Sequence, residues 1–321
     1  MRYKLFVAIV PFLFLTSCQA QTSPTVENDD VFISDTLPFS IDTNFMSRDF
    51  NDILCSVEIN GHILDNVLID NGCRYSVISP DFAPKLGLQS IPFDTSLWTL
   101  LERKRGYSNG FIVKDLVCKI SKTTYRLDTI EIDDVAQRMK RNKRIKLVLG
   151  KDFFERYVVE FDFRKKVMIF SNRLPDKASR YLALPMEPCR GIHLFRLRCI
   201  NVDGFKLKNG DPMQVRVMLD LGGSETAYGK DFLRRVDQHF SRLDTSSMAY
   251  LILNTIGTAV DSVDFRFFQE EKGIRKKNLP GIVFDLNFLN SEMILGVDFF
   301  RHFNVIFDYK NNMLYLKRNE E

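Results

Sequence analysis

Apolar and polar positions alternate in short runs along most of the chain, the period expected of strands with one buried face. The run from Ser56 to Leu64 carries Asn60-Gly61 between two apolar segments, which predicts two strands joined by a type I′ turn. Val158 to Phe170 alternates on both sides of the polar triplet Arg164-Lys165-Lys166, and Asn304 to Leu316 does so around Lys310-Asn311-Asn312. Asp203-Gly204 and Asn209-Gly210 punctuate the chain before an apolar run that ends at Asp220. Helical spacing is confined to stretches such as Asp81 to Leu86 and Asp231 to Val236. Three prolines between Leu174 and Gly191 mark a joint. The pattern predicts two mostly-strand units.

The two units are copies. Val148-Leu-Gly-Lys-Asp-Phe-Phe-Glu-Arg-Tyr-Val-Val-Glu-Phe-Asp-Phe163 aligns without a gap on Ile294-Leu-Gly-Val-Asp-Phe-Phe-Arg-His-Phe-Asn-Val-Ile-Phe-Asp-Tyr309. Val67-Leu-Ile-Asp-Asn-Gly72 aligns on Val217-Met-Leu-Asp-Leu-Gly222. The offsets are 150 (220 − 70) and 146 (296 − 150), in the same order along the chain, as an internal duplication with small loop changes requires. Asp-Phe-Phe in both copies is expected to pack in the core at the start of a short turn or helix. Asp162 and Asp308 are expected to form turns.

The N-terminus has a different character. Arg2 and Lys4 precede an apolar run, Leu5 to Leu15, too short to span a bilayer as a helix, which reads as a secretory signal. Its end, Leu15-Thr16-Ser17-Cys18, resembles a bacterial lipobox, which implies cleavage before Cys18 and lipid attachment to that thiol. The polar stretch that follows reads as a flexible tether. Gln19 in place of Asp leans the expected location toward the outer membrane, on its periplasmic or cell-surface face. The formal charge of +4 over 321 residues implies no nucleic-acid partner. The remaining cysteines (55, 73, 118, 189, 199) form no CxxC pair and the four histidines are scattered, so neither a metal site nor a cofactor is expected. A single Cys189–Cys199 bridge is compatible with an oxidising compartment.

In each copy an apolar strand runs into Asp, one variable residue, then Gly: Asp70-Asn71-Gly72 and Asp220-Leu221-Gly222. A carboxylate at the end of a buried strand is costly unless hydrogen-bonded or functional, and the glycine allows close backbone approach. Related by duplication, two such loops would meet at a pseudo-two-fold axis with their carboxylates adjacent. Adjacent carboxylates cannot both ionise readily, so one proton is shared. One group then accepts a proton from a bound water while the other protonates a carbonyl.

Ile69 to Leu88 resembles the retropepsin-type aspartic-peptidase signature, in which Asp-Thr-Gly heads the active-site loop. Val148-Leu149-Gly150 and Ile294-Leu295-Gly296 resemble the hydrophobic-hydrophobic-Gly element that crosses behind that loop in each lobe. The resemblance covers roughly residues 50–170 and 195–317 and implies two aspartic-peptidase-like β-barrel lobes in one chain, pepsin-like in arrangement. It implies a catalytic dyad of Asp70 and Asp220, active-site loops carrying Asn71, Gly72, Leu221 and Gly222, and a flap near Arg105 to Gly110 with a weaker counterpart near Asn254 to Gly257. It departs from the family after each Asp: the usual Thr or Ser, whose hydroxyl bonds across the dyad, is replaced by Asn71 and Leu221, and Leu can neither donate nor accept.

The expected organisation is a signal at residues 1–17, a lipidated Cys and tether at 18–45, lobe 1 at 46–175 and lobe 2 at 190–321. The expected function is a membrane-anchored, monomeric aspartic endopeptidase acting on peptide or protein substrates in the inter-lobe cleft. The alternative is an inactive relative that binds peptides or a partner through the same cleft. Trp98 is expected in the core and the basic run Arg138 to Arg144 in a solvated loop.

Overall fold

The computed structural model describes residues 34–42, 52–73, 75–92, 110–134, 144–189, 197–223, 225–236, 250–252, 255–267, 274–284, 286 and 290–319. The signal, Cys18, Trp98, the lobe 1 flap tip at 105–109, Asn254 and the basic run at 138–143 lie outside these residues.

The first half runs β1 (Ser34–Pro38), β2 (Ser40–Asp42), β3 (Asp52–Ile59), β4 (His62–Ile69), β5 (Ser76–Ile78), β6 (Ile91–Pro92), β7 (Phe111–Ile120), β8 (Thr123–Ile132), β9 (Leu147–Leu149), helix α1 (Lys151–Arg156), β10 (Val158–Asp162) and β11 (Val167–Ser171). The second runs β12 (Leu182–Pro188), β13 (Arg198–Lys206), β14 (Pro212–Leu219), β15 (Ala227–Gly229), helix α2 (Lys230–Arg235), β16 (Tyr250–Ile252), β17 (Thr255–Phe267), β18 (Ile274–Phe284), β19 (Met293–Leu295), helix α3 (Val297–Phe300), β20 (Phe303–Asp308) and β21 (Met313–Arg318). The chain is all-β, two duplicated lobes related by a pseudo-two-fold axis.

Lobe 1 is a sheet in the order β2-β3-β4-β9-β5-β8-β7-β6, closed into a barrel where Glu58 and Ile59 of β3 pair back to Lys119 and Cys118 of β7. Lobe 2 repeats the arrangement as β13-β14-β19-β15-β18-β17-β16. A six-stranded layer, β1-β11-β10-β20-β21-β12, takes three strands from each half. At its centre β10 pairs antiparallel with its own repeat β20, Phe161 opposite Val305 and Val159 opposite Phe307. With the 146-residue offset these two pairs are equivalent, so the axis passes through Glu160 and Ile306, which face each other.

Local chemistry accounts for the turns. Asn60 and Gly61 both have positive φ (50° and 78°), the geometry of a type I′ hairpin. Asp162 Oδ1 accepts the Lys165 N–H (2.9 Å) and Asp308 Oδ1 accepts the Asn311 N–H (3.0 Å), so both aspartates form the expected turns. Phe153, Phe154, Phe299 and Phe300 are fully buried at the starts of α1 and α3, inside one apolar cluster that runs through both halves.

Two stretches read as connectors are strands. Residues 34–42, expected within the tether, form β1 and β2, with Leu37 and Phe39 buried. The joint holds β12, which edges the shared layer as β1 does. The correspondence is residue for residue: the Phe39 N–H donates to Lys166 O (2.9 Å) and the Met186 N–H to Asn312 O (2.7 Å). β1 supplies a partner to the otherwise bare edge of β11.

Cys189 and Cys199 are joined by a disulfide across the β12–β13 hairpin. Closing this short loop should stabilise the fold by about 2–3 kcal/mol. The Cys189→Ala/Cys199→Ala double variant is expected to lose that amount in urea unfolding under oxidising conditions, and a loss well below 1 kcal/mol would contradict it.

Candidate active site

Each Asp loop is built by three chain passes. β4 runs out to Asp70, β5 returns, and β9 threads between them, parallel to β4 (Leu68 opposite Val148, Ile69 opposite Leu149) and antiparallel to β5. In lobe 2, β19 threads likewise between β14 and β15. The hydrogen bonds match across the axis. Asp70 N–H donates to Leu149 O and Asp220 N–H to Leu295 O, both 3.0 Å. Lys151 N–H donates to Cys73 O and Val297 N–H to Gly223 O, both 2.8 Å.

The crossing requires glycine for space. At Gly150 a Cβ would stand 2.6 Å from the carbonyl carbon and oxygen of Tyr75, and at Gly296 it would stand 2.6 Å from Gly223 O. Both have ordinary φ values (−93° and −97°), so the demand is steric, not conformational.

Asp70 and Asp220 are brought together. A Cβ on Gly72 would lie 2.9 Å from Asp70 Oδ1 and 3.0 Å from Asp220 Oδ1, so those oxygens are at most 5.9 Å apart (2.9 plus 3.0). A Cβ on Gly222 would stand only 2.2–2.4 Å from the carbon and both oxygens of the Asp70 carboxyl group. The two loop glycines therefore leave the space that the carboxylates occupy. Asp70 is buried and Asp220 half-buried. Asp70 Oδ1 accepts the Gly72 N–H (2.7 Å) and the Cys73 N–H (3.3 Å), and its Oδ2 accepts the Cys73 thiol (3.3 Å). Asp220 Oδ1 accepts the Gly222 N–H (2.9 Å). Backbone donors at these distances fix each carboxyl plane. The chemistry available is that of two closely held carboxyls facing a shared position.

The missing hydroxyls are compensated on one side. Asn71 Oδ1 accepts the Leu221 N–H (2.6 Å), and Asn71 Nδ2 donates to Leu219 O (3.3 Å) and to the Tyr309 hydroxyl (2.9 Å). The residue after Asp70 thus holds the backbone on both sides of Asp220. Leu221 is buried, 1 % exposed, and its side chain is part of the apolar cluster.

Some supporting groups escaped sequence reasoning. Ser76 Oγ donates to Asp152 Oδ1 (2.9 Å) and accepts the Gly150 N–H (3.0 Å). Thr226 Oγ1 donates to Asp298 Oδ1 (2.8 Å), its backbone N–H donates to Oδ2 (2.9 Å), and the hydroxyl receives the Gly296 N–H (3.5 Å). Burial pushes both Asp152 and Asp298 up to about 6. Gly-x-Asp in both copies, each with a hydroxyl residue 70 or more positions upstream, was the available signal. The phenol of Tyr309 carries no such sign, because its repeat mate is Phe163. Cys55 and Cys118 are buried thiols, and burial pushes Cys118 up to about 12 and Cys55 higher still, so neither is a nucleophile at ordinary pH.

No protein-family model matches the chain, and no curated protein matches it in sequence. In structure it is similar to conglutin gamma, a basic 7S globulin from lupine seeds, at TM-score 0.52 and 10 % identity over 89 % of this chain and 95 % of that one. It is similar to basic 7S globulin from soybean at TM-score 0.54 and 10 % identity (90 % and 96 %) and to edgp at TM-score 0.56 and 11 % identity (88 % and 94 %). Likeness at such identity speaks for the fold alone, and that fold is the two-lobed, pepsin-like one.

Proposed function

We propose that the chain is an aspartic endopeptidase that activates a water between Asp70 and Asp220. The observation that carries this reading is the convergence of the two inner carboxyl oxygens to within 5.9 Å, around a space kept free of side chain by Gly72 and Gly222. Two carboxyls so placed share one proton. The ionised member takes a proton from the bound water, whose oxygen attacks the scissile carbonyl carbon. The protonated member gives its proton to the carbonyl oxygen, leaving a neutral tetrahedral diol. One carboxyl then gives its proton to the leaving nitrogen while the other takes a proton from a diol hydroxyl; the C–N bond breaks, the C=O re-forms, and the pair again holds one proton. The backbone N–H groups of Gly72 and Gly222 keep the carboxyls oriented through the cycle.

The test is digestion of a mixed peptide library from acidic to neutral pH. Asp70→Asn and Asp220→Asn should each reduce cleavage by about 10²–10⁴-fold, the usual contribution of a positioned acid or base. Undiminished cleavage in either variant sinks the reading. Leu221, with no hydroxyl to offer, favours a second reading in which the same groove binds peptides without cutting them. Absence of cleavage at every pH, with saturable peptide binding that survives both substitutions, would select it.

We further propose export as a lipoprotein anchored through Cys18 and facing an oxidising compartment, a reading supported by the Leu15-Thr16-Ser17-Cys18 pattern and by the Cys189–Cys199 bridge. Metabolic labelling with a radioactive fatty acid should mark the chain and leave Cys18→Ala unmarked.

A further inference from the structure

We propose that Asn71 and Tyr309 act as one unit that locks the two carboxylate loops together from a single side of the axis, with Tyr309 a positioning residue for Asp70 and Asp220. Only the kinetic part of its test rests on the peptidase reading.

Duplication sets the frame. Asn71 corresponds to Leu221 and Tyr309 to Phe163. Both polar members therefore belong to one interaction, and both apolar members occupy the mirrored places. The polar pair meets in a site closed to water: Asn71 is 0 % exposed and Tyr309 2 %.

Hydrogen-bond capacity explains why the two go together. A hydroxyl has one proton to donate, enough to grip the opposite loop once. The amide of Asn71 has two, and both need acceptors in a buried site. Leu219 O takes one at a long 3.3 Å and the Tyr309 hydroxyl takes the other at 2.9 Å. The orientation of the amide is fixed by its other end, because Oδ1 must meet the Leu221 N–H, and a flipped amide would set donor against donor. Leu219 and Leu221 flank Asp220, so the angle of this one amide sets the backbone on either side of a carboxylate in the opposite lobe. Tyr309 supplies the shorter of the two amide donor bonds.

Tyr309 is itself held from β13, the strand paired with the one it helps to fix. The Arg198 guanidinium lies over its ring at 5.3 Å, and Arg198 pairs with Leu219 in the β13–β14 register. Phe154 and Phe307 flank the ring at 5.7 and 6.3 Å. A phenylalanine at 309 would keep this packing, since phenylalanine fills the mirrored place at 163, and would remove only the oxygen.

Tyr309→Phe, Asn71→Leu and the double variant of the full chain in detergent separate the unit from ordinary packing. The carboxyl carbons of Asp70 and Asp220, labelled with ¹³C, are titrated by NMR in each protein. Tyr309→Phe leaves one Asn71 amide proton without its acceptor, so it is expected to fold and to melt a few degrees below wild type, and to shift the dyad titration by half a pH unit or more. The double variant should shift it no further than Asn71→Leu alone. Where cleavage is measurable, kcat in Tyr309→Phe should fall at least tenfold with KM within twofold, and the acidic limb of its pH profile should move with the NMR titration. Transplanting the pair, Leu221→Asn with Phe163→Tyr in the double variant, should restore the wild-type titration, and Leu221→Asn alone should not. A Tyr309→Phe titration that overlays wild type, or shifts that add in the double variant, would overturn the proposal. The NMR outcome stands whether or not the wild type cleaves peptides, so failure of the peptidase reading is told apart from failure of this one.

Discussion

Gly150→Ala and Gly296→Ala should each destabilise the fold by at least ~3 kcal/mol, the upper range for an inserted methyl group. The reason is what the methyl would meet. At Gly150 it would stand 2.6 Å from the carbonyl carbon and oxygen of Tyr75 and 2.8 Å from Ser76 N. At Gly296 the obstacles are Gly223 O at 2.6 Å and the carbonyl of Glu225 at 2.7 Å. A flexible side chain would swing aside, but these are backbone atoms, pinned by bonds such as Val297 N–H to Gly223 O and by the pairing of Ser76 with Ile130 in the β5–β8 ladder. Relief requires β9 or β19 to withdraw from between its neighbours, which breaks the support of the Asp loop in that lobe. Gly61→Ala is the contrasting control. Nothing stands within 4 Å of a Cβ there, so its cost is limited to the positive φ of 78°, about 1 kcal/mol. Urea unfolding of the three variants checks the order, and a Gly296→Ala protein within 1 kcal/mol of wild type would contradict the crossing described above.

What could be read before folding follows from how far each interaction reaches along the chain. Asn60-Gly61 determines a hairpin within two residues, and Asp162 and Asp308 close turns within three. The duplication made longer relations legible as well, because two copies of Asp-x-Gly and of Leu-Gly had to be equivalent in space. β1 and β12 were harder to see. They are short, contain proline and border polar sequence, so neither alternation nor propensity marks them. The repeat did carry a trace, Leu37-Pro38-Phe39 against Leu184-Pro185-Met186, at an offset of 147. Asn71 and Tyr309 lie 238 positions apart, and neither has a polar counterpart in the other copy. A search for what the halves share passes over what distinguishes them, and the asymmetric lock is of that kind. The Asp70–Asp220 juxtaposition was expected from symmetry; the hydrogen bonds that replace the missing hydroxyls were not.

The fold should be most stable near pH 4–5 and lose stability as pH rises through about 6. Asp152 and Asp298 lie directly behind the two Asp loops, and burial pushes each carboxyl from 3.8 to about 6 against the opposing pull of its Ser76 or Thr226 bonds. Each binds its proton more tightly in the folded chain than in the unfolded one. Between the two values the folded state therefore holds more protons, and raising the pH favours unfolding. At 1.36 kcal/mol per unit the upper bound is ~3 kcal/mol for each group. Asp298 should come nearer to it, because it is 6 % exposed, with the Tyr228 phenol and the Arg301 guanidinium as its charged or titratable neighbours. Asp152 is half-buried and borders a cleft of about 560 Å³ lined also by Arg126 and Arg156, whose guanidinium groups lower the cost of its charge. On the acid side, Asp35 works in the opposite sense. Burial raises its pKa, but donors from Ser121, Lys122 and Thr123 outweigh that, so the stability it contributes disappears below about pH 4. Asp298→Asn removes one proton-binding group while keeping its shape. Its absolute stability will differ from wild type, because the Thr226 N–H then faces an amide or its oxygen, so the measurement that decides is the slope of unfolding free energy between pH 4 and 7. That slope should shrink by at least half in Asp298→Asn and become nearly flat when Asp152→Asn is added. An unchanged slope in the double variant would place the titration elsewhere in the molecule. If the slope follows these two residues, acid strengthens the crossings that hold the two Asp loops.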